Sequence, residues 1–126
     1  MQRLRPKDIK AYREQAVKEQ DYKCALCKQE LRLEDAVLDH AHSSGYIRAA
    51  LHRFCNTYLG AIENNIKRNK ITDVQLSNIL ANAQSYMQTT TNILHPTYRT
   101  AEERKARAKA RAKARAKKSR KINKPQ

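Results

Sequence analysis

Two short pairs of potential metal ligands constrain this chain more than any other feature. Cys24 and Cys27 are separated by two residues, and so are His52 and Cys55. Each short turn brings its two ligands to one side of an ion, and the second pair closes a tetrahedral cage, a spacing typical of a Zn²⁺ site. The predicted ligands Cys24, Cys27, His52 and Cys55 leave no position open for a substrate, so we expect the zinc to be structural.

Two alternatives compete with parts of this zinc site. The CALC sequence at 24–27 also fits a thioredoxin-like redox pair, but no βαβ pattern precedes it and Cys55 would then have no role. His52 has an alternative as well, because an ordinary surface histidine would give the same pattern. Three cysteines in a reducing compartment are not a disulfide framework, which favours metal binding.

Positive charge is concentrated at the C-terminal end of the chain. The 126 residues carry a formal net charge of +15. Residues 99–126 contain 13 Lys and Arg against two Glu, whereas residues 1–98 contain 14 basic and ten acidic residues. This asymmetry is typical of an arm that binds a polyanion, since neutralising phosphates releases condensed counterions. A solvated arm that only improves solubility is the alternative.

The basic tail is a low-complexity repeat without an apolar face. The sequence RKARAKARAKARAKK at 104–118 alternates small and basic residues, so it cannot pack as a core helix. We expect it to be disordered when free and able to become helical on DNA, since Ala, Lys and Arg tolerate helix well. The residues predicted to bind DNA there are Arg104, Lys105, Arg107, Lys109, Arg111, Lys113, Arg115, Lys117 and Lys118.

The centre of the chain predicts a β-hairpin followed by a helix. Residues 36–39 and 46–51 are apolar and partly β-branched, and residues 43–45 between them have the sequence SSG, which favours a turn. A helix is expected to follow Cys55 directly, because apolar residues recur at helical spacing there: Leu59, Ile62 and Ile66.

Two further helices are predicted on either side of this hairpin and helix. Residues 9–17 place apolar side chains on one helical face. Thr72, with Gln75 three residues later, forms a capping-box pattern that starts another helix, and Pro96 marks the end of the ordered part. The apolar stripe of the later helix should pack in the domain's own core or against a second subunit: Leu76, Ile79, Leu80, Ala83, Tyr86 and Met87.

Four polar residues beside the zinc ligands have no structural role assigned so far. Asp39 and His40 would point to opposite faces of a regular strand, and could flank one phosphate only if the strand twists or ends there. His42 and Asn56 lie close to them in the predicted fold. Each has an ordinary alternative: a turn carboxylate, solvated or packed histidines, and an asparagine that caps the helix it begins.

Taken together, these residues resemble a known family. The segments CALC, LDHAH, GYIR and LHRFCN, in this order, are similar to the phage recombination endonuclease VII family, a branch of the HNH (His-Me finger) nucleases. TNILHPTY at 91–98 is similar to the family's segment beyond its dimerisation helix, so the resemblance covers residues 7–98. It implies a mainly α protein with a small β-hairpin, in which a zinc-bound ββα-metal core is flanked by helices and followed by the basic tail.

The resemblance also implies roles for individual residues. Asp39 and Asn56 match ligands of a catalytic Mg²⁺, an ion that prefers oxygen donors. His40 matches the general base that takes a proton from the attacking water, as an imidazole with a pKa near ~6.5 can, and His42 a second histidine at the phosphate. Arg48, in the GYIR motif, is expected to contact DNA. The cation would stabilise the charge of the transition state and of the leaving 3′ oxygen.

Three positions depart from the family pattern. His52 stands where a third zinc cysteine is usual, a substitution that zinc accepts, and Ala49 follows Arg48 where glycine is common. Leu59 occupies the helical position of a catalytic glutamate. Glu63 lies on the same predicted face, but about 10.5 Å of axial rise separates it from Asn56, too far to share that metal.

The resemblance implies a phage-encoded, Mg²⁺-dependent DNA endonuclease that cleaves branched DNA such as Holliday junctions as a homodimer. Residues 1–98 would form the endonuclease VII-like HNH domain with its helical dimerisation region, and residues 99–126 the DNA-binding tail. No stretch approaches the roughly 20 apolar residues of a membrane span, and the N-terminus lacks an apolar signal segment. We therefore expect a protein of the host cytoplasm, without a membrane partner.

Two other functions remain open from the sequence. One is a less specialised HNH enzyme, of the nicking or homing type, acting on duplex DNA. The other is a zinc-organised DNA-binding protein without catalysis, in which Leu59 in place of the glutamate marks a dead site.

Overall fold

A computed structural model describes residues 2–125 of the chain. The chain divides into two compact units, Met1–Asn82 and Ala83–Gln126. The fold is mainly helical with one two-stranded antiparallel hairpin, as the sequence predicts. The division at residue 98 follows composition and remains a prediction about function. The elements are α1 (Ile9–Glu19), β1 (Ala36–His40), β2 (Ile47–His52), α2 (Arg53–Asn69), α3 (Asp73–Met87) and α4 (Ala101–Ile122), with 3-10 turns at Pro6–Asp8 and Leu33–Asp35.

The predicted hairpin is confirmed. Ala36 pairs with His52 at one end, and the turn is closed by a hydrogen bond from Gly45 N to Ala41 O of 2.7 Å. Gly45 has a φ of +78°, a left-handed conformation that glycine adopts without strain. The register shifts between Asp39 and His40, so that one extra residue of β2 stands opposite this step.

The shift in register is a β-bulge, and the extra residue is Arg48. Asp39 pairs with Ala49 and His40 with Ile47, which leaves Arg48 without a partner in the ladder. Bulges bend a strand and redirect side chains, and they are frequent beside active sites. The strand that carries the predicted catalytic residues is therefore irregular at the position where the chemistry is expected.

Helix α2 leaves the hairpin directly, also as predicted. It begins at Arg53, immediately after β2, and ends at Asn69, where Lys70 adopts a left-handed conformation with a φ of 52°. The predicted inner face of α2 is half-buried and consists of Leu59, Ile62 and Ile66. Most of the remaining helix is exposed.

The core is small and contains two of the predicted zinc ligands. Among residues 2–125, its seven buried residues come from α1, the CALC turn, the segment between that turn and β1, the hairpin and α2. A side-chain amide joins two of these elements. Gln20 at the end of α1 donates to Ala50 O and accepts from Ala50 N, both at 2.9 Å. Since so few apolar residues stabilise a small domain weakly, a structural metal would contribute much of its stability. The core residues are Val17, Cys24, Leu31, Ala36, Ala50, Leu51 and Cys55.

Helix α3 begins at the predicted capping box but leaves most of its apolar stripe uncovered. Gln75 N donates to Thr72 Oγ1 at 3.2 Å, and Thr72 N donates to Gln75 Oε1 at 3.0 Å. Leu76 and Ala83 are half-buried. The domain's own core does not bury the rest of the stripe. Its exposed residues are Ile79, Leu80, Tyr86 and Met87.

The basic tail is a helix, where the sequence predicts disorder. Thr100 and Glu103 form a complete capping box at its start, with Glu103 N donating to Thr100 Oγ1 at 3.2 Å. Acidic residues lie in the first turn and basic residues in the last, and their interaction with the helix dipole stabilises the helix. The expectation of disorder gave the missing apolar face more weight than the helix propensity of Ala, Lys and Arg. It also overlooked the capping box, a local signal that stabilises a helix without a core.

Candidate metal centre and active site

The four predicted zinc ligands converge on one point. One ligand atom from each of Cys24, Cys27, His52 and Cys55 can be chosen so that all four lie within 4.8 Å of one another. His52 Nδ1 is 3.3 Å from Cys27 Sγ and 3.7 Å from Cys55 Sγ. A tetrahedral ion with sulfur ligands at ~2.3 Å and nitrogen at ~2.0 Å requires separations of this size. Three thiolates and an imidazole form a donor set that suits Zn²⁺.

The histidine of this group is held in the orientation that a ligand needs. His52 Nε2 is 2.7 Å from the carbonyl oxygen of Glu30, to which it donates a hydrogen bond. The proton is therefore on Nε2, and the lone pair of Nδ1 faces the thiols. Zinc-bound histidines commonly have such a hydrogen bond on the second nitrogen. This contact distinguishes His52 from an ordinary surface histidine, a distinction that the sequence could not make.

The thiols of the cage differ in their acidity. Burial raises the pKa of Cys24, but hydrogen bonds from backbone N–H groups, those of Leu26 (3.4 Å) and His52 (3.5 Å) among them, outweigh burial and lower this pKa to about 6. Burial, followed by the neighbouring thiols of Cys27 and Cys24, raises the pKa of Cys55 to about 12. Three thiolates cannot accumulate at one point without a cation, so full deprotonation of this cage is linked to metal binding.

A second cluster lies at the bulge, around Arg48. Its Nε and Nη2 donate to Asp39 Oδ2 and Oδ1 at 2.6 and 3.1 Å, and Nη2 also donates to Glu63 Oε1 of α2 at 3.0 Å. Asp39 is only 6% exposed, so the guanidinium neutralises a buried carboxylate. Hydrogen bonds to Asp39 first and to Glu63 second raise the pKa of Arg48 above its usual value.

Glu63 therefore lies closer to the predicted site than its distance along α2 from Asn56 suggests. The two carboxylates of Asp39 and Glu63 accept hydrogen bonds from the same nitrogen of Arg48. No local sequence pattern predicts this contact, because it depends on the bulge and on the direction of α2.

The two predicted catalytic histidines are neighbours at the end of β1. The ring centroids of His40 and His42 are 5.1 Å apart with an interplanar angle of 21°, and both residues are exposed. Asn56 is half-buried in the first turn of α2, and no hydrogen bond joins it to Asp39, His40 or His42 in the part of the chain that the structure describes. The structure thus pairs the histidines, and among residues 2–125 it shows no direct hydrogen bond from Asn56 to either of them.

Leu59 has a structural role in this fold. Its side chain is half-buried and packs against the core cluster that contains Cys24 and Cys55. An apolar residue at this position of α2 therefore supports the zinc region and offers no oxygen to a cation.

The predicted DNA-binding residues of the tail are all exposed on α4 and fall into two rows. Residues four apart share a helix face, so the four-residue repeat stacks its arginines into one row. Lysines two residues further along the repeat lie about 200° around the axis. Arg104, Arg107 and Arg111 line one concavity together with Tyr98 and Arg99. The arginine row is Arg107, Arg111 and Arg115, joined by Arg104 and Lys118, and the lysine row is Lys105, Lys109, Lys113 and Lys117.

Comparison with known proteins defines the class and the family. The family model described as recombination endonuclease VII matches residues 2–77, which include all four cage residues, the hairpin and α2. The chain is therefore a nuclease, and its partner is DNA. More particularly, it belongs to the recombination endonuclease VII family. A search of the curated proteins gave no match. Among residues 2–125, no helix is both long and apolar enough to cross a membrane.

Proposed function

We propose that the protein is an HNH-type, Mg²⁺-dependent endonuclease that hydrolyses phosphodiester bonds of branched DNA such as Holliday junctions. The observation that carries this proposal is the exposed pair of His40 and His42, which directly follows the buried carboxylate of Asp39 in a chain of this family. His40 accepts a proton from the attacking water, and His42 contacts the phosphate. The Cys24, Cys27, His52 and Cys55 cage holds a structural Zn²⁺.

Asp39 and Asn56 would hold the Mg²⁺. Both offer oxygen atoms, the donors that a small hard cation prefers. When bound, the cation supplies charge stabilisation for the transition state and the leaving 3′ oxygen. Both oxygens of Asp39 accept hydrogen bonds from Arg48 in the present conformation. A Mg²⁺ ion beside the guanidinium would meet a like charge, so we expect its binding to displace Arg48 from at least one of these oxygens. Once released, the guanidinium is available to a DNA phosphate, in agreement with the expected role of Arg48 in DNA binding.

The exposed stripe of α3 supports a homodimer. Ile79, Leu80, Tyr86 and Met87 are between 51 and 75% exposed. Four large apolar side chains along one stripe of a helix are unusual on a free surface, and a second copy of the same helix would cover them. Two active sites in one dimer could then act on opposite strands of a junction.

The tail supports affinity for DNA of any sequence. Its basic residues are exposed and their spacing carries no base-specific pattern, so they contact phosphates and not base edges. Deletion of residues 99–126 should weaken binding to all DNA forms and reduce the salt dependence of the binding constant. An unchanged salt slope in the truncated protein would contradict this role.

One experiment tests the proposal. Wild type and His40→Ala are incubated with a four-way junction, a nicked duplex and the linear arms of the junction, each with and without Mg²⁺. We expect cleavage of the junction that requires Mg²⁺ and falls by roughly 10²–10⁴-fold in His40→Ala, with zinc content and DNA binding unchanged. Equal cleavage of junction and linear arms would indicate a nicking or homing-type enzyme. The absence of cleavage of every DNA form would contradict a catalytic role.

A further inference from the structure

A groove on the first unit runs from the N-terminal segment to the predicted catalytic histidine. Its volume is about 1070 Å³, and it is lined by residues that precede α1, by α1 itself, by the hairpin turn and by His40 at the end of β1. Pockets for single small molecules are commonly about 300–1,000 Å³. The groove therefore has room for an extended ligand, and none of the roles proposed above uses its walls apart from His40.

The charge of the groove suits a phosphate-bearing ligand. Arg3 and Arg5 contribute two guanidinium groups, and the one acidic residue of the lining, Asp8, pairs with Arg5 through an Nε to Oδ2 contact of 2.6 Å. Arg3 takes part in no ion pair among residues 2–125. Its charge is thus available to an incoming anion.

Two tyrosines supply a different kind of surface. Tyr46 is 63% exposed and Tyr12 is 47% exposed, and both line the groove. The backbone at Tyr46 is fixed by the hairpin turn, since Ala41 N donates to Tyr46 O at 2.9 Å and Tyr46 N donates to Ser44 Oγ at 3.4 Å. An exposed aromatic ring on a fixed turn is a suitable platform for a flat ligand.

Arginines beside exposed aromatic rings are the combination by which proteins hold unpaired nucleic acid. The bases of a single strand stack on aromatic side chains while basic groups follow its phosphates. In a duplex the faces of the bases are already covered by their neighbours, so they cannot stack on Tyr46. The groove therefore favours an unpaired strand over a double helix.

We propose that this groove binds an unpaired segment of the DNA strand next to the phosphate at His40, with a base stacked on Tyr46 and a phosphate held by Arg3. This inference rests on the proposed function and deepens it, because it names the structural feature of the substrate that the protein recognises. Branch points provide unpaired or easily unpaired nucleotides, whereas a continuous duplex does not.

The test measures binding and does not require cleavage. A single-stranded oligonucleotide that contains 2-aminopurine is titrated with the full-length, zinc-loaded protein in buffer without Mg²⁺. Stacking of 2-aminopurine on Tyr46 should quench its fluorescence. The affinity for this strand is divided by the affinity for a duplex of the same sequence. Because all variants carry the same α4 tail, a difference in this ratio between variants does not arise from the tail.

Tyr46→Ala should abolish most of the quenching and lower the single-strand to duplex ratio by about tenfold, since the base loses the aromatic ring on which it stacks. Tyr46→Phe keeps the ring and should behave as wild type. Tyr22→Ala is the control, because Tyr22 is also a partly exposed tyrosine, at 46%, but lies outside the groove.

Arg3→Gln provides an independent test of the phosphate contact. It should reduce the slope of log affinity against log salt for the single strand by about 0.7. If wild type leaves 2-aminopurine unquenched, or if Tyr46→Ala and Arg3→Gln leave ratio and slope unchanged, the groove does not bind the strand. Quenching by a protein that cleaves no DNA would support strand binding in the groove and contradict the proposed catalytic function. Cleavage without quenching would support the catalytic function and contradict strand binding in the groove.

Discussion

The two predicted metal sites differ in what holds their ligands before an ion arrives. At the zinc cage four donor atoms lie within 4.8 Å of one another, and the carbonyl oxygen of Glu30 orients His52. At the bulge, the carboxylate of Asp39 is bonded through both oxygens to Arg48. The cage has its ligands assembled, whereas Asp39 already pairs with a cationic side chain. An ion would meet ready donors at the cage, but at the proposed Mg²⁺ site it would have to compete with Arg48.

This difference follows from the location of the two sites. Cys24 and Cys55 belong to the buried core, so an ion bound there joins the CALC turn to the start of α2. Asp39 is also buried, but Arg48 reaches it from a side chain that is 39% exposed. A partly exposed arginine can leave its carboxylate at moderate cost, whereas the core cannot rearrange around a missing zinc.

Loss of one cage ligand should have the largest effect. His52→Ala is expected to lose zinc and much of the stability of the first unit, because structural zinc contributes about 10–16 kcal/mol in small zinc-organised domains. His52→Cys restores four donors and should retain zinc. Metal content by atomic emission, together with thermal unfolding by circular dichroism, measures both variants. Full zinc occupancy in His52→Ala would show that His52 is not a ligand.

Removal of the arginine at the bulge should have a smaller effect that a divalent cation reverses. Arg48→Ala leaves the buried carboxylate of Asp39 without a partner, which should lower the free energy of unfolding by about 1–3 kcal/mol. Added Mg²⁺ should restore stability in the variant more than in wild type, since no guanidinium competes for Asp39. Urea unfolding with and without Mg²⁺ measures this difference.

Arg48→Lys is the control for this measurement, because it keeps the charge but not the forked geometry of the guanidinium. It should lie between wild type and Arg48→Ala. An equal response of all three proteins to Mg²⁺ would mean that the cation and Arg48 do not compete for the same carboxylate.

The smallest expected effect is at Glu63. Its side chain is 37% exposed, and Glu63→Gln removes one ion pair while Arg48 keeps both bonds to Asp39. The loss in unfolding free energy should be below about 1 kcal/mol. In an Arg48→Ala background the same substitution should have no further effect. If Glu63→Gln lowered the unfolding free energy more than Arg48→Ala does, Glu63 would stabilise the fold by a contact other than the one with Arg48.

The cluster of three cysteines and one histidine was predictable because each half of it is a local signal. Two potential ligands separated by two residues form one turn, and the hairpin and α2 bring the two turns together. The hairpin at Gly45 and the capping box at Thr72 and Gln75 are local in the same sense, and the structure confirms both. The family of the chain was also evident from the order of these segments.

The contacts at the bulge were not predictable, since they join three elements that are distant in sequence. The position of Arg48 depends on a register shift in the hairpin, and no residue of the turn predicts that shift. The reach of Glu63 depends on where α2 passes the strand, which its axial distance from Asn56 does not describe. The hydrogen bond between His52 and Glu30 is of the same kind.

The helix of the tail was missed for a different reason. Thr100 and Glu103 form the same kind of capping pattern as Thr72 and Gln75, so the signal was present in the sequence. The missing apolar face was given more importance than the cap and the high helix propensity of Ala, Lys and Arg. For a highly charged helix, local propensity and a capped first turn can take the place of a core.

The two rows of α4 have a consequence for how the protein can approach DNA. Because cations stand on opposite sides of the axis, turning this helix by half a revolution presents a lysine row where an arginine row was. Helix α4 can therefore present a row of cations to a phosphate backbone in either of two orientations about its own axis. As the proposed DNA-binding arm, α4 could therefore stay attached while the nucleic acid beneath it changes direction, as it must wherever strands exchange partners.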